Sequence, residues 1–308
     1  MAETIKDKIR RLKKERDAVI LAHYYVPEDV QDIADYVGDS YYLCRIASEE
    51  SAKVIVLCGV YFMGESAKII NPDKTVLMPE LKAECPMAYM AKPEDVERIR
   101  AMYDDTAVVC YVNSTAEIKA LSDVCVTSSN APAVIRALPQ QHIYFIPDKN
   151  LGRYVAKQIP EKQFICGNGF CHVHTGISAE DVIRVKREHR EAAVVSHPEC
   201  REEVISISDF TGSTSGIISY IEKSDRSEFI ICTEIGILYK LKKNTRGKNF
   251  YIPSKCQVCC GMKMNTLEKL LDALENSGHE IKIHDKDIMA KGLASLNRMM
   301  ALAGGDRK

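Results

Sequence analysis

The feature that most constrains the fold is a pattern that occurs three times along this chain of 308 residues. In each copy a short apolar run ends in two polar residues spaced two apart. The first members of these pairs stand 88 and 86 residues from one another. The three pairs are His23 and Tyr25, Tyr111 and Asn113, and His197 and Glu199.

Further features keep the same register. A small cluster of hydroxyl or glycine residues follows each pair: Gly38-Asp-Ser40, Ser128-Ser129 and Gly212-Ser-Thr214. One cysteine then closes each copy, and these cysteines, 86 and 88 residues apart, are Cys85, Cys171 and Cys259. Features that share a spacing of about 87 residues indicate a triplicated domain.

Each copy predicts an α/β unit. Apolar β-branched runs alternate with helix-like stretches, a pattern typical of a parallel sheet with helices on both sides. We therefore predict three homologous α/β/α units: residues 1–88 together with 266–308, residues 89–177, and residues 178–265. Leucines at helical spacing predict that the segment 266–303 packs back on the first unit, and residues 304–308 are expected to form a frayed tail.

The polar pairs predict a shared ligand site. Ligands of parallel sheets lie beyond the carboxyl ends of the strands, where the three pairs are expected. If the units pack around a pseudo-threefold axis, all three sets converge on one cavity. The hydroxyl clusters lie where helices should begin, and exposed N–H groups there favour carboxylate or phosphate. The alternative is that these hydroxyls only cap their helices.

Twelve cysteines also need an explanation. A disulfide framework is typical of small secreted domains, so metal binding, cluster binding or catalysis is the better expectation here. Most are expected to be buried apolar thiols, as in the runs around Cys58, Cys110 and Cys232. Three thiolates on separate loops suit a cubane iron–sulfur cluster whose fourth iron stays open, whereas structural zinc usually has four ligands from tight local pairs. In the third copy there are three candidate ligands, Cys256, Cys259 and Cys260, and only one of them needs to bind the cluster.

Charge and hydropathy exclude some partners. The formal net charge is −1, which argues against nucleic acid or an anionic membrane as the main partner. Apolar runs are too short to span a bilayer, and the charged start of the chain has no apolar segment of a secretory signal behind it. A cytoplasmic protein is expected.

Several blocks of the sequence, in order and over nearly the whole chain, form a recognisable set: Leu21-Ala-His-Tyr-Tyr25, Gly38-Asp-Ser40, Gly59-Val-Tyr-Phe-Met-Gly-Glu-Ser-Ala-Lys68, Asn71-Pro-Asp-Lys74, Pro147-Asp-Lys-Asn-Leu-Gly152, Cys171-His-Val-His174, His197-Pro-Glu-Cys200, Gly212-Ser-Thr-Ser-Gly216, and Cys259 with Met262-Lys-Met-Asn265. The most specific are the long block that begins at Gly59 and the closing motif after Cys259. Together these blocks resemble the quinolinate synthase family.

The resemblance implies both a cofactor and a reaction. It implies a triangular fold with one [4Fe-4S] cluster per chain at its centre, held by Cys85, Cys171 and, from its offset to the closing motif, Cys259. It also implies that iminoaspartate condenses with dihydroxyacetone phosphate, with loss of phosphate and water, to give quinolinate for NAD biosynthesis. The open iron would act as a Lewis acid. The enzyme that supplies iminoaspartate is a further candidate partner.

That reaction needs acids, bases and anion-binding groups. Glu199 is the expected base for a carbon-bound proton, and Tyr25 and Tyr111 are expected to supply protons or to orient an enolate. His23 and His197 are suited to hold a carboxylate, His197 if it is charged, and His197 is also a catalytic candidate. Further binding candidates are Asn113, Ser40, Ser128, Ser213 and Thr214.

Two other functions remain open at this point. One is another enzyme on a three-cysteine trefoil, such as an isoprenoid diphosphate reductase, which would need cavity residues unlike His23, Tyr111, His197 and Glu199. The other is a non-enzymatic iron–sulfur carrier, which normally closes all four iron sites with protein ligands.

Overall fold

Three four-stranded sheets organise the chain, and every strand pairing within them is parallel. The computed structural model describes residues 3–276 and 278–303, so residues 1–2 and the predicted frayed tail lie outside the described residues. Each sheet has its second strand at one edge, followed by its first, third and fourth strands. The predicted α/β class with three repeated parallel-sheet units is confirmed.

The strands take the following bounds. The first sheet contains β1 (Ala18–His23), β2 (Tyr36–Gly38), β3 (Val54–Cys58) and β4 (Thr75–Leu77). The second contains β5 (Thr106–Tyr111), β6 (Val124–Val126), β7 (His142–Ile146) and β8 (Gln163–Cys166). The third contains β9 (Ala193–Ser196), β10 (Phe210–Thr211), β11 (Glu228–Cys232) and β12 (Asn249–Tyr251).

Helices connect these strands, and each sheet with its connecting helices is called a unit below. The first unit has α1 (Ile5–Glu15), α2 (Glu28–Ile33), α3 (Ser40–Glu49), α4 (Tyr61–Ile70) and a 3-10 helix, Pro86–Tyr89. The second has α5 (Pro93–Met102), α6 (Ala116–Ala120), α7 (Ala131–Arg136), α8 (Lys149–Gln158) and α9 (His172–Thr175). The third has α10 (Ala179–Glu188), α11 (Glu202–Ile205), α12 (Thr214–Lys223), α13 (Ile237–Asn244) and α14 (Cys260–Lys263). Helices α15 (Leu267–Glu275) and α16 (Lys286–Ala303) follow.

Burial on both faces explains why these apolar runs form parallel strands. Every residue of β3 and β5 is buried, as expected for strands covered by helices on both sides of the sheet. Cys58, Cys110 and Cys232 lie in these inner strands with no exposed surface, which confirms that they are core thiols.

An aspartate repeats in each unit and holds the first strand to the second. Its carboxylate accepts a hydrogen bond from a backbone N–H of the first strand, while its own N–H donates to the carbonyl of the same strand residue. The side-chain bonds are Asp35 with Ile20 (2.8 Å), Asp123 with Val108 (2.7 Å) and Asp209 with Val194 (2.8 Å). This feature keeps the register of the repeat and supports the triplication.

The C-terminal helices contact two units. Helix α15 packs against α1 of the first unit, whereas α16 lies against α4 of the first unit and against α6, β6 and α7 of the second. Ser295 of α16 is buried and donates to the carbonyl of Lys119 at 2.8 Å. The last helix therefore joins the first two units.

None of the helices in the described part of the chain combines the length and the apolar character needed to cross a bilayer.

Candidate active site

A cavity at the carboxyl ends of the strands is lined by residues of all three units. Twelve of the thirteen residues predicted for the site line it: His23, Tyr25, Ser40, Cys85, Tyr111, Asn113, Ser128, Cys171, His197, Glu199, Thr214 and Cys259. We call it the central cavity.

Ser213 is the exception, because it is used to cap a helix. It is the N-cap of α12, and its Oγ accepts the N–H of Gly216 at 3.2 Å. Ser40 differs, since it is the first residue of α3 and Asp39 provides the cap. The capping explanation therefore holds for Ser213 but not for Ser40 or for Thr214, whose hydroxyl contacts Tyr25.

Two histidines present the same face to the central cavity. Nδ1 of His23 accepts the N–H of Tyr25 at 3.1 Å, and Nδ1 of His197 accepts the N–H of Glu199 at 3.3 Å. The ring proton of a neutral imidazole is then on Nε2. Burial lowers the pKa of each histidine to about 3, so both are neutral near pH 7. His197 would thus bind a carboxylate as a neutral donor rather than as a cation.

A chain of hydrogen bonds connects the predicted base to a predicted acid. Nδ1 of His174 is 2.6 Å from Oε2 of Glu199, and its Nε2 is 2.9 Å from Oγ1 of Thr233. The same Thr233 hydroxyl is 2.8 Å from the hydroxyl of Tyr25, which also lies 2.6 Å from Oγ1 of Thr214. All five residues are buried. The chain provides a route along which protons can be exchanged between the third and first units.

The protonation states of these groups follow from their surroundings. Burial alone would raise the pKa of Glu199, but His197 and His174 outweigh it and lower the pKa to about 2. Burial raises the pKa of Tyr25 and, with Glu199 beside it, that of Tyr111. The cavity therefore holds an ionised carboxylate next to protonated phenols, the arrangement expected of a base and its acid partners.

The three in-register cysteines share one local geometry. Each is the N-cap of a four-residue helical turn, formed by the 3-10 helix in the first unit and by α9 and α14 in the others. Burial raises the pKa of Cys85 to about 12, of Cys259 to about 11 and of Cys171 well above its usual value. These thiols would ionise readily only beside a bound cation, because a metal deprotonates a coordinating thiol. Cys256 and Cys260, by contrast, are exposed.

Several residues of the cavity were not among the predicted site residues, although Asp39 and His174 stand in blocks named in the sequence analysis. His174 and Glu234 line it, as do Asp39 and Thr127. Ligand atoms of Cys171, His174 and Glu199 lie within 4.8 Å of one another, so these residues could also hold a metal ion. Position 174 corresponds to Ala88 and Met262 in the other copies, so the repeat gave no reason to select it.

One fully buried polar atom among the residues that line the cavity has no partner in the described part of the chain. Oδ1 of Asn113 is buried and accepts no hydrogen bond. Since buried polar atoms are nearly always paired, this oxygen is suited to receive a donor from a bound molecule.

Comparison with known proteins identifies close relatives. Residues 7–301 match the family described as "NadA: Quinolinate synthetase A protein". A protein named quinolinate synthase from Clostridium perfringens (strain SM101 / Type A) is 50% identical, and the alignment covers 97% of this chain and 99% of that protein. Proteins of the same name from Clostridioides difficile (strain 630; 50% identical, 96% and 97% covered) and Fusobacterium nucleatum (48% identical, 97% and 100% covered) are similarly related.

Proposed function

Because the chain belongs to the quinolinate synthetase A protein family, we propose that it condenses iminoaspartate with dihydroxyacetone phosphate to form quinolinate, with loss of phosphate and water. The observation that carries this proposal is the central cavity, where one thiol from each unit meets a buried carboxylate, two neutral histidines and two phenols. The substrates bring carboxylates and a phosphate, and this set of donors and bases suits them.

The three cavity thiols fit a [4Fe-4S] cluster, and we assign one per chain to Cys85, Cys171 and Cys259. Soft thiolates on three separate loops would hold the cluster and, with no fourth cysteine in register, would leave one iron without a cysteine ligand. When bound, the cluster supplies a Lewis-acid site at that iron. The pseudo-threefold arrangement of units 1–88 with 266–308, 89–177 and 178–265 is part of this proposal, since each unit gives the cavity a strand end and a cysteine.

Hydrogen-bond donors around the cavity are assigned to bind the anionic groups of the substrates. The Nε2–H groups of His23 and His197 are suited to hold a substrate carboxylate. Ser40, at the start of the ten-residue helix α3, offers a hydroxyl that does not cap its helix, and the helix dipole there favours negative charge. Ser128 adds a hydroxyl from the second unit. Asn113 presents its unpaired oxygen to a donor such as the imine nitrogen.

Proton transfer is assigned to the hydrogen-bonded chain. Glu199 is ionised and accepts a proton from a substrate carbon, and Tyr111 beside it stabilises the carboxylate. Tyr25 donates to a substrate oxygen, and its proton is replaced through Thr233 and His174. A positioned acid or base of this kind typically accelerates a reaction by about 10² to 10⁴.

The test is product formation by protein purified without oxygen. Iminoaspartate and dihydroxyacetone phosphate are supplied together and singly, and quinolinate and inorganic phosphate are measured. We expect the two products in equal amounts and only when both substrates are present. A protein with its full iron content that forms no quinolinate would carry out a different reaction on this fold.

A further inference from the structure

Two buried carboxylates stand at equivalent positions of the repeat. Asp148 follows the end of β7 by two residues, and Glu234 follows the end of β11 by two residues. They are 86 residues apart, the same spacing as between Tyr111 and His197, and neither side chain is exposed to solvent. Burying a carboxylate is costly unless it is well hydrogen-bonded, so such residues need a structural or functional reason.

Asp148 connects a strand end to the cysteine of its own unit. One oxygen, Oδ2, accepts the backbone N–H of Cys171 at 3.0 Å. The other, Oδ1, caps α8 by accepting the N–H of Leu151 at 2.8 Å. The carboxylate therefore connects the backbone at Cys171 to the first turn of α8, the helix that begins just after β7 ends.

Glu234 makes the same connection in the third unit. Its Oε1 accepts the backbone N–H of Cys259 at 3.1 Å and pairs with Nζ of Lys263 at 2.9 Å. Its Oε2 accepts the N–H of Gly236 at 2.6 Å, at the start of α13. Lys263 also donates to the carbonyl of Tyr25 at 2.5 Å, which connects this group to the first unit.

The first unit lacks this carboxylate. Its equivalent position is Val60, and the backbone itself connects the strand end to the cysteine loop, since the N–H of Tyr61 donates to the carbonyl of Ala83 at 2.8 Å. A carboxylate is therefore not required by the fold of the repeat, because one of the three units forms the same sheet and the same helical turn without it.

We propose that Asp148 and Glu234 are positioning residues that fix the backbone at Cys171 and Cys259 and thereby orient these two thiolates toward the cluster. The inference rests on the proposed cluster. Groups that orient metal ligands in this way typically change metal affinity about 10- to 100-fold when they are removed. The two carboxylates stabilise the bound cluster against loss and leave Cys85 as the ligand held by backbone contacts.

The test compares variants of the holoenzyme purified without oxygen. Asp148→Ala removes both hydrogen bonds of the carboxylate. Asp148→Asn keeps one acceptor oxygen in the second unit, and Glu234→Gln keeps one acceptor oxygen in the third. Asp209→Ala is the control, since its carboxylate also accepts a backbone N–H, that of Val194 in β9, but does not contact a cysteine loop. The readouts are iron and sulfide per chain, the rate of iron loss to a chelator, and the electron paramagnetic resonance spectrum of the reduced cluster.

We expect iron loss about tenfold faster in Asp148→Ala, an intermediate rate with a shifted spectrum in Asp148→Asn and Glu234→Gln, and wild-type behaviour in Asp209→Ala. Wild-type rates and spectra in both conservative variants would overturn the inference even if Asp148→Ala failed to fold. Equally fast iron loss in Asp209→Ala would overturn it too, because the effect would then come from a general loss of stability and not from the contacts to the cysteine loops. A wild-type protein without iron would instead contradict the proposed function itself.

Discussion

Gly236 of the third unit lies against the backbone of the first unit at Tyr24 and Tyr25, so Gly236→Ala is a stringent test of this contact between the two units. A Cβ at this position would lie 2.7 Å from Oε2 of Glu234, 2.7 Å from Cα of Tyr25 and 2.8 Å from the carbonyl oxygen of Tyr24. Ordinary contacts of a Cβ begin at 3.4 Å, so the backbones must separate by about 0.7 Å. Overpacking against backbone costs roughly 1–3 kcal/mol and occasionally more.

We therefore expect Gly236→Ala to lower the free energy of unfolding by about 3 kcal/mol, which is about a hundredfold in the equilibrium constant. The measurement is urea unfolding of the iron-free protein, followed by far-ultraviolet circular dichroism. Gly216→Ala is the control, since its Cβ would meet only Ser213 Oγ at 3.4 Å and Phe210 Cζ at 3.9 Å inside α12. Within a helix such as α12, alanine has a higher helix propensity than glycine by up to about 1 kcal/mol, so Gly216→Ala should not lower the stability. Equal unfolding midpoints for Gly236→Ala and wild type would refute this packing argument.

Three further predictions concern the central cavity. Glu199→Gln should lower the rate of quinolinate formation by about 10² to 10⁴ while the iron content stays unchanged, because an amide cannot accept the proton; a rate near that of wild type would assign the base elsewhere. Tyr25→Phe should reduce the free energy of unfolding by about 2 kcal/mol in urea titrations, since two buried hydrogen bonds to Thr214 and Thr233 are lost, and should also slow the reaction. Ser40→Ala should raise the KM for substrate but change the free energy of unfolding by no more than about 0.5 kcal/mol, because Asp39 caps α3; a loss of stability with unchanged KM would indicate a structural hydroxyl.

The register of the repeat was the most reliable guide from sequence to structure. It selected the strand ends at His23, Tyr111 and His197, and the structure brings these residues together in one cavity. The reason is physical: parallel strands of equivalent units end at equivalent places, so in-register residues occupy equivalent positions. The same logic predicted the three sheets.

The repeat could not identify residues at which the copies differ. His174 corresponds to alanine and methionine in the other units. Asp148 and Glu234 correspond to Val60 in the first unit. The spacing of the repeat alone therefore does not indicate that these three residues belong to the site. Ser213 and Thr214 are adjacent hydroxyls of the same type, and only backbone geometry decides which one caps α12 and which one faces the cavity. The apolar pattern of α16 showed that one face is buried but not that α6 and β6 would cover it.

The measurement that tests the central claim most directly is the iron and sulfide content of protein purified without oxygen, together with quinolinate formation. Wild type is compared with Cys85→Ala, Cys171→Ala and Cys259→Ala, and the exposed neighbours Cys256→Ala and Cys260→Ala serve as controls. We predict about four irons and four sulfides per chain and active enzyme in the wild type and both controls, with cluster and activity lost in each of the three ligand variants. A colourless, zinc-containing wild type, or full iron content in the three ligand variants, would contradict the assignment of the three cavity thiols to an iron–sulfur cluster.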